Sequence, residues 1–139
     1  MAYDPKQGPP AGPNFVPAYQ VSGVPYVTSS AGDDLTTTPV EIGFPYATRF
    51  FAVTNVGSEP IRVGFSQNGI NGDVTKNYLV LSGNTSTPRL ELRCKSLFLR
   101  TVSGTGAFSL IAGLTGIPYS QFPVLTGTLN NTGSFKGIG

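Results

Sequence analysis

The chain has 139 residues, a formal net charge of +2 and only 12% charged residues, and it contains no histidine. That length suits a single domain. So weak a charge gives no basis for binding nucleic acid or a membrane through net charge, and the missing imidazole excludes histidine-based catalysis and the Ser-His-Asp triad.

The first 27 residues hold six of the 12 prolines and, among charged residues, only one aspartate and one lysine. Prolines keep a backbone extended, which lowers the entropy lost when a segment docks. We predict an extended N-terminal arm over residues 1–27, whose anchors on a partner surface are Tyr3, Phe15, Tyr19 and Tyr26. The composition favours a neighbouring subunit as that surface, and the chain's own sandwich stays open as the alternative.

Beyond the arm, apolar and polar residues alternate with a period of two, and glycine or proline interrupts any helical pattern. The alternation predicts about eight short strands and no helix. The strands are expected within residues 21–29, 38–44, 46–55, 59–66, 76–82, 88–94, 95–102 and 106–114. Their expected core residues are Phe51, Ile61, Val63, Phe65, Leu90, Leu92, Leu99, Phe108 and Leu110.

Strands at this spacing, separated by turns such as NVGSEP and SQNGINGD, indicate an all-β fold. We predict an eight-stranded antiparallel β-sandwich over residues 28–125. A single jelly roll is favoured, although other Greek-key sandwiches fit the pattern nearly as well. Residues 126–139 are rich in glycine and form a C-terminal tail in this prediction.

No residue cluster in the sequence predicts chemistry, so we expect neither an enzyme nor a cofactor or metal site. Cys94 is the only cysteine and sits on the apolar side of its segment, which predicts a buried core thiol. Asp33 and Asp34 are adjacent in a polar turn, and the loop 68–73 lacks the ligand spacing of a calcium loop. We also expect no secretory signal and no membrane insertion, because no apolar run is long enough.

Two surface features suggest weaker alternatives. Four cations, Arg89, Arg93, Lys95 and Arg100, fall within 12 residues, but a charged sheet face explains them better than phosphate binding does. Nucleic acid is therefore not an expected partner. Tyr78, Asp73 and Asn77 together have the residue types of a glycan site.

A family resemblance rests on two stretches and the proline-rich opening. The stretches are RFFAVTNVGSEPIRVGFSQNGING, residues 49–72, and ELRCKSLFLRTVSGTGAFSLIAGLTGIP, residues 91–118. They resemble the single jelly-roll penton and minor capsid proteins of large icosahedral double-stranded DNA viruses, and less closely phage head decoration proteins. The likeness is one of strand texture and short phrases such as VGFSQNG.

This resemblance implies a structural capsid protein, most plainly a penton (vertex) or minor capsid subunit, synthesised in the host cytoplasm and located in the virion. It implies a homo-oligomer, with a pentamer favoured, that contacts neighbouring major capsid proteins through its jelly roll and arm. The alternatives are a capsid decoration or cement protein and a carbohydrate- or receptor-binding β-sandwich module.

Overall fold

The computed structural model describes residues 23–30, 34–72, 76–118 and 120. Seven β-strands and one short helix, α1, lie in this part of the chain. The strands are β1 (Val24–Ser29), β2 (Val40–Gly43), β3 (Tyr46–Asn55), β4 (Ile61–Gly64), β5 (Tyr78–Leu81), β6 (Ser96–Thr101) and β7 (Phe108–Pro118), and α1 spans Gln67–Asn71.

The strands form two antiparallel sheets, which confirms the predicted all-β sandwich. One sheet has the order β1-β7-β3 and the other the order β2-β6-β4-β5. Strands β2 and β3 are consecutive in the chain but belong to different sheets, so the short connection after Gly43 carries the chain from one layer to the other.

The hydrophobic core lies between the two sheets and explains their alternating sequences. In the three-stranded sheet, Phe51 and Val53 of β3 are fully buried, whereas their neighbours Phe50 and Ala52 on the opposite face are only half-buried. Because successive side chains of a strand point to opposite faces, one face of each sheet turns to the core. Buried residues from both sheets form one cluster: Leu35, Ile42, Phe44, Phe51, Val53, Ile61, Val63, Leu81, Cys94, Leu97, Leu99, Phe108, Leu110, Ala112 and Leu114.

The prediction of a regular strand at residues 88–94 is wrong. Residues 86 and 90 instead form two isolated antiparallel bridges with β3, to Thr54 and Phe51. Leu90 is only partly buried and Leu92 is 44% exposed, so the predicted core position of Leu92 is also wrong. The segment nevertheless follows β3: the buried Thr48 hydroxyl donates to the Leu92 carbonyl at 2.7 Å.

The glycine-rich turn predicted at residues 68–73 contains a helix instead. The Ser66 hydroxyl caps α1 by accepting the Gly69 N–H at 3.0 Å. Gly72 ends the helix with a φ of 75°, a left-handed conformation that suits glycine. Ile70 of α1 is fully buried and lies against Gly64 of β4, on the outer side of the four-stranded sheet.

The predicted boundary between arm and sandwich falls inside a strand. Strand β1 begins at Val24, so the sandwich starts before residue 28. Its pairing with β7 extends over Val24–Ser29, and this pairing places the end of the predicted arm in the three-stranded sheet. Residues 1–22 of the arm and the whole tail at 126–139 lie outside the described residues.

Buried Asn55 joins the loop between β3 and β4 to the end of β5. Its side-chain Nδ2 donates to the carbonyl oxygens of Glu59 at 2.7 Å and Leu81 at 3.1 Å. Its Oδ1 accepts the Gly57 N–H at 3.0 Å. These contacts satisfy backbone polar groups around a buried side chain, and they add to the backbone bonds from Asn84 to Gly57 and from Val102 to Pro60 that also hold the loop between β3 and β4.

Candidate functional site

Of the four predicted arm anchors, the structure describes Tyr26 alone. This residue lies in β1 and packs on the chain's own core, with its ring edge-to-face against Phe44 at a centroid distance of 5.2 Å. The contact makes Tyr26 a half-buried part of the sandwich. Tyr3, Phe15 and Tyr19 lie outside the described residues, and their role as anchors stays a prediction.

The thiol of Cys94 is 1% exposed and belongs to the core cluster, as its position in the sequence predicted. Burial raises the pKa of this thiol to about 11, and a contact with the Thr48 hydroxyl at 3.4 Å opposes that shift only partly. At neutral pH the group is therefore a protonated thiol, which is a poor nucleophile and a poor metal ligand. Among the described residues, no group of three or more His, Cys, Asp or Glu side chains is placed to hold a metal ion.

Two of the four cations predicted as a basic group, Arg89 and Arg100, have separate local partners. Arg89 forms a 2.7 Å ion pair with Glu91 and lies over the Phe50 ring at 5.4 Å, beside the three-stranded sheet. Arg100 donates through Nη1 to the Asn71 side-chain oxygen at 3.1 Å, on the outer side of the four-stranded sheet. Because these two guanidinium groups are engaged at different sheets, they do not form a shared phosphate site.

Sequence reasoning missed a clamp centred on Arg62 of β4. Its Nη1 donates to the carbonyl oxygens of Ile70 at 3.1 Å and Asn71 at 2.9 Å, at the C-terminal end of α1. Its guanidinium also stacks on the Tyr78 ring at 4.3 Å. A cation at these carbonyls favours the helix electrostatically, so Arg62 holds α1 on the sheet. The Ser66 and Gly72 caps were the sequence signal for the helix itself.

An open pocket of about 380 Å³ lies beside the edge strand β5. Tyr78 and Asn77 border it, which brings together two of the three residues predicted for a glycan site, whereas Asp73 lies outside the described residues. The Nδ2 of Asn77 is buried and has no hydrogen-bond partner in the described part of the chain. The pocket is lined by Val63, Phe65, Lys76, Asn77, Tyr78 and Leu79.

Several large apolar side chains are exposed on the sandwich surface. Val27 of β1 is 70% exposed and Ile111 of β7 is 48% exposed, and the two are direct cross-strand partners. On β5, Leu79 and Val80 are 54% and 58% exposed. Contiguous exposed apolar surface is typical of contact sites between proteins, so Val27 and Ile111 mark a candidate interaction surface on the three-stranded sheet. Leu79 and Val80 are consecutive in β5 and point to opposite faces of their sheet.

No protein-family model, curated protein or solved structure matches the chain. Among the described residues, no helix has the length and apolar character that crossing a bilayer requires.

Proposed function

We propose that the chain is a structural subunit of a viral capsid, at a vertex or as a minor component, and that it assembles through its sandwich and its N-terminal segment. The observation that carries the proposal is the order in which strands pair along the chain. The resemblance of residues 49–72 and 91–118 to jelly-roll capsid proteins adds to it.

The pairing is nested from the outside of the sequence inwards. The first strand, β1, pairs with the last, β7, and β2 pairs with β6. Next, residues 86 and 90 bridge to β3, and β4 pairs with β5 at the centre. With the segment along β3 counted as an irregular eighth strand, this nesting supports a jelly roll, the double Greek-key sandwich used by capsid domains.

The chemistry of the described residues fits a protein that acts by shape and burial. Its one cysteine is a protonated core thiol, and the half-buried Arg62 and Arg100 donate to residues of α1. Most of its exposed large apolar residues lie in strands, where a flat neighbour can cover them. In this proposal the subunit locates to the virion, and homo-oligomers, with a pentamer favoured, contact the neighbouring major capsid proteins.

Native mass spectrometry of the purified full-length chain tests the proposal, with negative-stain electron microscopy of the same sample. A pentamer that appears as a ring is the expected result for a vertex subunit. A trimer would replace the vertex assignment by a decoration or cement protein. A chain that stays monomeric at all concentrations and binds a glycan on an array would overturn the capsid assignment.

The pocket beside β5 favours one second candidate, a carbohydrate- or receptor-binding module. Tyr78 offers an aromatic face. The buried Nδ2 of Asn77, which has no hydrogen-bond partner among the described residues, is a donor that a sugar hydroxyl reaching into the pocket would satisfy. Arg62 covers one face of the Tyr78 ring at 4.3 Å, which leaves only the other for stacking on a sugar. Glycan-array binding that Tyr78→Ala abolishes would support this candidate, and Val56→Ala, at an exposed position away from the pocket, is the matched control.

A further inference from the structure

We propose that the N-terminal segment, residues 1–22, docks on the outer face of the three-stranded sheet, and we call this docking surface the seat. This inference deepens the proposed function, which assigns assembly to that segment but names no surface for it. The outer face is defined here by the side chains of β1, β7 and β3 that point away from the core. The register of the sheet identifies them.

Two adjacent rows of this face are apolar. In one row Val27, Ile111 and Ala52 are cross-strand neighbours. In the next row Pro25 and Phe50 lie on either side of Gly113. The Phe50 ring fills the space over this glycine, since a Cβ on Gly113 would come within 2.3 Å of it. The six residues are uncharged and form a continuous surface across all three strands.

The third row of the same face is polar and closes the apolar surface at one end. Ser29 and Ser109 are cross-strand partners whose hydroxyls hydrogen-bond at 2.8 Å. Beyond them Thr54 bonds the Ser86 hydroxyl, also at 2.8 Å. At the β3 side the Arg89–Glu91 ion pair forms a charged rim. The apolar rows therefore have polar groups at one end and along the β3 side, as the polar rim of a docking surface does.

The apolar surface is too small for a folded partner and fits an extended chain. Three strands spaced about 4.8 Å apart and two rows about 7 Å apart give an apolar surface only about 10–15 Å across. A stable interface between two folded bodies buries roughly 800 Å² on each partner, several times more than these rows provide. A single extended segment with spaced apolar side chains matches a surface of this width.

The chain itself contains such a segment, and it joins the sheet beside the apolar rows. Residues 1–22 contain five prolines and three aromatic residues but only two charged residues. The segment is followed by Gly23, which lies so close to β7 that a Cβ on it would come within 2.5 Å of the Gly113 backbone. Phe15 and Tyr19 lie within eight residues of this point, a reach of about 26 Å in extended conformation. These side chains can therefore cover Val27 and Ile111 of their own copy or of a neighbour in contact with it.

Disulfide trapping in the full-length chain tests the seat directly. Ala18→Cys places a thiol between the two aromatic anchors, and Ala52→Cys places a thiol in the first apolar row. We expect this pair to oxidise at least ~10-fold faster than a control pair of Ala18→Cys with Gly43→Cys, because docking raises the effective concentration of the two thiols. Gly43 suits the control because nothing lies within 4 Å of a Cβ placed there. The background carries Cys94→Ala in both cases.

Each outcome separates the seat from the proposed function. Trapped dimers support both, because the segment then comes from a neighbour. Cross-links within single chains support the seat but contradict the assembly role of the segment. Equal oxidation rates for the two pairs would overturn the seat, and the ring observed by native mass spectrometry would stand on its own.

A second pair of variants checks that the apolar rows cause the docking. Val27→Ser with Ile111→Ser alters two exposed side chains, so the sandwich should still fold. We expect the trapping advantage to fall to the level of the control pair. Val40→Ser changes a 41% exposed valine of the other sheet and should leave the trapping rate unchanged.

Discussion

Replacing Asn55 by alanine should cost more stability than any exposed polar substitution in the chain. The change removes three hydrogen bonds, to the backbones of Gly57, Glu59 and Leu81, from a side chain that is 0% exposed. A typical bond contributes about 1 kcal/mol, and buried groups left without partners cost about 1–3 kcal/mol each. Some of these backbone groups can reach water in the variant, so we expect a loss of about 3 kcal/mol in the free energy of unfolding.

Urea titration followed by far-UV circular dichroism measures this loss, since the chain has no tryptophan for fluorescence. With a urea slope of about 1.5 kcal/mol/M, the midpoint should fall by about 2 M. A fall below about 1 kcal/mol would refute the reasoning, because it would mean that the three backbone groups find other partners without Asn55.

The variant Asn55→Asp tests the direction in which stability changes with pH. Its Oδ atoms can still accept from Gly57, but a carboxylate would face the two carbonyl oxygens that Nδ2 now contacts. Burial and this repulsion raise the folded-state pKa of the new carboxyl above the ordinary value of about 3.9. Relative to wild type, stability is therefore highest at low pH and is lost as pH rises above that value. Asn84→Asp is the control, because Asn84 is exposed and its φ of 57° also suits aspartate.

Three further predictions concern other parts of the sandwich. Burial raises the pKa of Cys94 from 9.0 to about 11; deprotonation is therefore easier in the unfolded chain. The free energy of unfolding should therefore fall as pH rises from about 9 to about 11. In the same urea titrations, Cys94→Ala should lack the part of this fall that comes from the thiol. Gly83→Ala should destabilise by about 1–3 kcal/mol because its Cβ would come within 2.4 Å of the Ser58 carbonyl oxygen. The matched Gly43→Ala should change stability by less than about 0.5 kcal/mol, and equal effects would contradict the packing argument. Arg62→Lys should speed hydrogen exchange of residues 66–72 while leaving the rest of the exchange pattern unchanged, and an unaltered α1 would show that the caps alone hold the helix.

The two-residue alternation predicted most of the strands because burial of one face is a local property of the sequence. It failed at residues 88–94, where the alternating sequence predicts a regular strand but the hydrogen bonds to β3 are irregular. Thr87 pairs with Val53 and Leu90 with Phe51, so one strand carries an extra residue. Pro88 has no N–H to donate at that point, and the ladder becomes a bulge. A pattern of alternating leucines cannot reveal such a break in register.

The candidate surfaces were harder to predict because they depend on contacts between distant residues. Val27 and Ile111 become neighbours only through the register of β1 on β7. The stacking of Arg62 on Tyr78 likewise joins two strands that the sequence separates by α1. Periodicity assigns such residues to a face, but it does not say which residue of another strand lies beside them. Tyr26 illustrates this limit, since composition placed it in the arm and pairing placed it on the core.

The pairing of β1 with β7 also governs how the chain can fold during synthesis. Ser29 and Ser109 are 80 residues apart in sequence yet share a hydrogen bond, and β7 is the central strand of its sheet. The ribosome must therefore release almost the entire sandwich before the first strand finds its partner. Contacts of such long range give slow folding, on the order of milliseconds to seconds for all-β domains. During that interval β1 and β3 present unpaired edges, so a chaperone that shields nascent β-strands should raise the yield of native protein.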